Sequence, residues 1–215
     1  MLRTQAQREV LSRRITYLLT HVVRCFGAHW LAVANLALVL YVGLPFLAPV
    51  LMESGHEGAA RLIYTVFRPL CHQLPERSFF LLGPQSVYSH EELTVRLGGW
   101  VPSRYIGALE LGFKVAVCQR CVAIYGVMLL AGLLFGLVRR HVPPLSLIGF
   151  GLLILPTAID GGGQLVGLWT STWWLRLLTG ALFGIACVWL TYPHIERGMR
   201  EVHAETGRTL REWSD

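Results

Sequence analysis

What this sequence has least of is charge. Only 15% of its 215 residues are Asp, Glu, Lys or Arg, against about 25% in ordinary soluble domains. Hydrophobic residues make up 53% and the mean hydropathy is +0.50, which excludes an ordinary soluble domain and points to the bilayer. Cysteine is scarce as well: five in a chain of this size cannot form a disulfide scaffold. Acidic residues are outnumbered, 13 against 19 basic ones. The basic excess, nearly all arginine, flanks apolar runs, as in membrane proteins, and this excludes nucleic acid as a partner. The N-terminal region is not expected to be a secretory leader. The basic region and the apolar run after it are too long, and Pro49-Val50-Leu51 is not a small-residue cleavage site.

What is present is a series of long uncharged runs. Residues 1–27 carry Arg3, Arg8, Arg13, Arg14 and Arg24 against Glu9, with Leu11, Ile15, Leu18, Leu19 and Val22 at helical spacing. This predicts a cytoplasmic amphipathic arm on the membrane surface. Spans are predicted over about 30–51, 121–138, 143–159 and 174–192, each long enough for the hydrocarbon core. Gly43 and Pro45 should bend the first, and Asn35 needs a partner inside the bundle. Pro143-Pro144 should open the third, and Asp160-Gly161-Gly162-Gly163-Gln164 should end it. Gly132 with Gly136, and Gly180 with Gly184, have the spacing of close helix contacts.

The segment 53–117 is not a span. It predicts an ordered outer loop with a short helix over 58–67 and a second over 90–97, started by the capping-box pair Ser89 and Glu92. Residues 194–215 alternate Arg and Glu and predict a second surface helix. Arginines at 139–140 and at both termini put those parts in the cytoplasm and the loop outside. Trp100, Trp169, Trp173 and Trp174 then fall in an outer aromatic belt. The expectation is an all-α, four-helix membrane bundle of residues 28–193, with surface helices at 1–27 and 194–215. Its partners are the lipid bilayer and, on one reading, other membrane subunits.

This topology brings Cys71, His72, Cys118 and Cys121 to one depth on one side, and separates them from Cys25 and Cys187. Three cysteines and a histidine can form a tetrahedral shell for zinc or another transition metal, and Cys-x-x-Cys is the usual paired-ligand spacing. The same pair at a helix start, beside Arg120 and Lys114, also suits thiol–disulfide exchange with Cys71 as partner. Isolated apolar cysteines remain the plain alternative. Asp160 at a membrane boundary needs a partner, for which Arg176 is the natural choice. With Gln164 it could also serve catalysis, Asp160 as general base and Gln164 orienting water or substrate. These readings leave open a metalloprotein with a structural or hydrolase-like site, a thiol oxidoreductase and an accessory subunit of a larger membrane complex.

Four motifs in order carry a resemblance. They are Cys-His-Gln-x-Pro-Glu-Arg-Ser-Phe at 71–79, Gly-x-Lys-Val-Ala-x-Cys-Gln-Arg at 112–120 followed by Ile124-Tyr125-Gly126, Asp160-Gly161 with Gln164, and Leu-Arg-x-x-Thr-Gly at 175–180. Over roughly 60–190 the chain resembles the prokaryotic membrane-protein family known as domain of unknown function 2085. The resemblance implies a small polytopic membrane protein and no established activity. In outline only, a helix-borne Cys-x-x-Cys with a loop cysteine is also similar to the vitamin K epoxide reductase type of membrane oxidoreductase.

Overall fold

The apolar runs form helices. The computed structural model describes residues 2–139 and 141–213; Arg140 and the side chains of Arg3, Arg8 and Glu9 lie outside the described residues. The helices are α1 (Leu2–Glu53), α2 (Glu57–Phe67), α3 (His90–Arg96), α4 (Gln119–Val138), α5 (Leu147–Leu165) and α6 (Trp173–Glu212). Four of them, α1, α4, α5 and α6, are long and apolar enough to cross a membrane. Their outward faces are apolar: Leu133, Leu134 and Leu137 on α4 and Leu147, Ile148 and Leu152 on α5 are all exposed. Such a surface fits a lipid solvent, in which backbone polar groups must be satisfied within the helix.

The bundle packs through a few large side chains and several small ones. Trp30, Leu31, Phe135, Val188 and Tyr192 form its central cluster. Gly132, Gly180 and Gly184 lie at close approaches, whereas a Cβ on Gly136 would make only an ordinary contact with Leu31 at 3.5 Å. A Cβ on Gly180 would sit 2.9 Å from the Arg120 carbonyl oxygen, and one on Gly184 would sit 2.6 Å from that of Ile124, so α6 can lie against α4 only with glycine there. Gly132 lies against Asn35 of α1, whose Oδ1 has no hydrogen-bond partner within the protein.

The arms do not form separate surface helices. α1 runs unbroken for 52 residues, about 78 Å, and α6 for 40. They stay paired beyond the bundle: Trp30 Nε1 donates to Glu196 Oε2 at 2.9 Å, His203 Nδ1 lies 3.2 Å from the Arg24 carbonyl, and Tyr17 meets the Trp213 ring. The contact leaves the apolar stripe of the arm open: Leu11, Ile15, Leu18, Leu19 and Val22 are all exposed.

The segment 53–117 is ordered, and it contains the strands that the all-α expectation omits. Strands β1 (Ser78–Leu81), β2 (Gly107–Ala108) and β3 (Gly112–Cys118) form an antiparallel sheet in the order β1-β3-β2, with Ser78 opposite Cys118 and Phe80 opposite Lys114. β3 is buried from Gly112 to Val117. The short helices stand where predicted, and Ser89 and Glu92 make the reciprocal capping box. α5 starts later than the proline pair suggests, because the Ser146 side chain accepts from Gly149 N and caps it. It also runs through Asp160 and the three glycines to Leu165; flanking apolar turns outweigh the roughly 1 kcal/mol that each glycine costs a helix.

Gly184→Ala should lower stability in detergent by about 1–3 kcal/mol through overpacking. Gly198→Ala, where an added Cβ meets nothing, should be neutral or slightly stabilising. Thermal unfolding of both variants checks the contrast.

Candidate metal centre

The site begins where a strand becomes a helix. Cys118 is the last residue of β3 and, at φ −74° and ψ 161°, the N-cap of α4. Cys121 follows in the first turn of α4. Cys71 comes from the chain after α2, where its amide donates to the Phe67 carbonyl at 3.0 Å. The Cys71 sulfur accepts from the Cys118 amide at 3.2 Å. All three sulfurs lie within 4.8 Å of one another. A tetrahedral ion with metal–sulfur bonds of about 2.3 Å would hold them about 3.8 Å apart, so a small inward movement suffices. Phe67, Val115 and Val117, with Tyr41 and Phe46, wall the group on its apolar side.

The turn carrying Cys71 is held in a strained form. Gln73 has φ 53°, a left-handed value uncommon outside glycine. Its amide donates to the Tyr64 carbonyl at 2.9 Å, and its own carbonyl accepts from Lys114 Nζ. Lys114 is the chain's single lysine and is 1% exposed; burial pushes its pKa down to about 8. The Tyr64 hydroxyl donates to the Lys114 carbonyl, and burial pushes that hydroxyl up. This clamp escapes the motif reading, in which Lys114 counts only as a charge near Cys118. A lone lysine inside an otherwise apolar strand was the available signal.

The residues beside the cysteines form one polar network. Gln119 is fully buried; its Nε2 donates to the Ser78 carbonyl at 3.3 Å and its Oε1 accepts from Arg176 Nη1 at 3.0 Å. Arg176 also reaches the Glu76 carbonyl at 3.4 Å. Asp160, 4% exposed, pairs with Arg120 and not with the expected Arg176, and it accepts from Ser171 Oγ at 2.9 Å. The reason is room: a Cβ on Gly161 would lie 3.0 Å from Arg120 Nη1, so the glycine lets that guanidinium reach α5. Gly163 does the same for the Trp169 ring, which presses directly on it.

A cavity of about 400 Å³ opens beside the sulfurs. Cys71, His72, Cys118, Cys121 and Gln164 line it, together with Arg77, Arg120 and Arg176. The structure thus brings together five of the six predicted site residues around one space. His72 is exposed and falls outside the sulfur group. Asp160 does not line the cavity; its carboxylate is taken up by Arg120 and Ser171. Cys25 and Cys187 lie outside the group.

A family model described as a predicted membrane protein, domain of unknown function 2085, matches residues 109–190. The resemblance expected over roughly 60–190 is shown over 109–190. Within the matched segment fall Cys118, Cys121, Asp160 and Arg176; the motif at 71–79 precedes it. An uncharacterised protein of Methanocaldococcus jannaschii is 27% identical over 174 residues, covering 77% of this chain and 91% of that protein. No solved structure matches.

Hydrogen bonds from the Cys118 thiol, then the Cys121 thiol, hold Cys71 far below the ordinary thiol range. The unfolded chain keeps that proton and the folded chain does not, so this group adds stability to the metal-free fold as pH rises and removes it on acidification. In metal-free protein the ultraviolet thiolate band should persist below neutral pH and vanish on unfolding. Arg120→Ala should cost about 3–5 kcal/mol by leaving the Asp160 charge buried and unpaired. Arg120→Ala with Asp160→Ala should cost less than Arg120→Ala alone; chemical unfolding of the set measures the coupling.

Proposed function

We propose that this protein is an integral membrane metalloprotein that holds zinc or another transition metal through Cys71, Cys118 and Cys121 on the extracytoplasmic side. The observation that carries this reading is the convergence of three sulfurs, from chain segments 47 residues apart, to within 4.8 Å of one another. Soft thiolates at that spacing suit zinc and its neighbours. The side follows from the arginines of the N-terminal arm, of position 139 and of the C-terminal tail, which favour the cytoplasm.

An ion held by the three sulfurs would stand beside the cavity that the same cysteines line. Three protein ligands beside an open space favour a hydrolase-like centre over a closed structural one. A bound metal there would supply Lewis acidity toward a water or carbonyl. Gln164 would orient a group in the cavity with its amide, and Asp160 would act through Arg120 by fixing its guanidinium. His72, next to Cys71 and with an exposed ring, would close the shell by turning inward.

Metal analysis of protein purified in detergent tests the reading. Wild type should carry about one ion per chain, lost in Cys71→Ser and in Cys118→Ser. His72→Ala should keep the ion if the fourth place is open, and lose most of its affinity if the shell is closed. Metal-free wild type that is lighter by the hydrogens of one disulfide would overturn the reading in favour of thiol–disulfide exchange by Cys118 and Cys121. Metal-free, fully reduced protein with co-purifying subunits would favour an accessory role instead.

A further inference from the structure

We infer that the cavity beside the sulfur cluster binds a phosphate-type dianion, carried by a lipid headgroup or by a soluble phosphate. This rests on the arginines and stands apart from the metal reading. Three guanidinium groups line the space: Arg77 from the turn before β1, Arg120 from the first turn of α4 and Arg176 from the second turn of α6. No carboxylate among the described residues lines it. Asp160 neutralises Arg120, while Arg77 and Arg176 form no ion pair among the described residues.

The unpartnered atoms identify the ligand's chemistry. Arg176 is 7% exposed, and its Nε has no hydrogen-bond partner among the described residues; of the atoms on lining residues the same holds for Arg120 Nε and Gln164 Nε2, while the unpartnered Asp160 Oδ1 lies outside the lining. All three lining atoms are donors. Their complement is a group that only accepts, which is an oxyanion and not a sugar, an amine or a metal. Two unneutralised guanidinium groups match a dianion better than a single carboxylate, and the planar fork of arginine suits phosphate oxygens. The N-termini of α4 and α6 lie at the same end and add positive potential. A space of about 400 Å³ lies within the range of small-ligand sites. Leu70, Leu74, Ile124 and Leu165 in its lining would take the organic part of an ester.

The test uses full-length protein in nanodiscs of a zwitterionic lipid, with labelled inorganic phosphate as one probe and added phosphatidic acid as the other. Binding is read by equilibrium dialysis and by native mass spectrometry. Arg77→Gln removes a charge from a side chain that holds no ion pair, and its fold is checked by thermal unfolding. Either probe should bind wild type and bind this variant about tenfold or more weakly, the loss of one charge-assisted contact. Phosphate binding would identify a soluble ligand, and binding of phosphatidic acid alone a lipid one. Cys118→Ser should retain the anion, and Arg77→Gln should retain the metal, so failure of one reading is separable from failure of the other. Wild type that binds neither probe, an Arg77→Gln variant that binds as wild type does, or loss of the anion in Cys118→Ser would each overturn the inference.

Discussion

The sheet end of this protein depends on a junction with no linker. β3 ends at Cys118 and α4 begins at the next residue, so strand position sets the helix's height and rotation. The strand is fixed by burial from Gly112 to Val117 and by pairing with β1. With the strand in place, its last residue and the two that follow have little freedom. Cys118 joins the sulfur group, Gln119 ties β1 to α6, and Arg120 reaches across to α5. A flexible connection would have to order those side chains at an entropic cost of about 1–2 kcal/mol per backbone residue.

The electrostatics of this end are lopsided. Lys114, Arg120 and Arg176 are wholly or largely withdrawn from water, with Asp160 as the one buried carboxylate among them. Carbonyl oxygens of Gln73 and Glu76 and the Gln119 amide take up part of the excess. A thiolate at Cys71 beside such a site is favoured on charge grounds, because it offsets the neighbouring Lys114 cation. The polar network, the sulfur group and the cavity therefore form a single electrostatic unit.

Much of this was legible in the sequence. Uncharged runs gave four spans because burial in lipid demands that composition over about 20 residues. The capping box at Ser89 was legible because both halves are local. The convergence of Cys71, Cys118 and Cys121 followed from the order of the spans. The sheet was not legible, because β1 has four residues and β2 two, too short for alternation to register. The partner of Asp160 was missed because sequence proximity of spans favours α6; the space left by Gly161, which decides the matter, has no signature in a string of residues. The continuity of α1 was missed because a change from an amphipathic to a wholly apolar pattern does not say whether the helix breaks between them.

The long pair formed by α1 and α6 has a mechanical consequence. α6 begins among the groups that surround the cavity and continues to Glu212 with no break, locked to α1 along the way. An α-helix is stiff in compression and torsion, and Pro193 is the lone proline within this one. Any tilt imposed on Arg176 is thus delivered to the far tip as a larger swing, in the manner of a lever arm, and a load applied at the tip returns to the cavity by the same path.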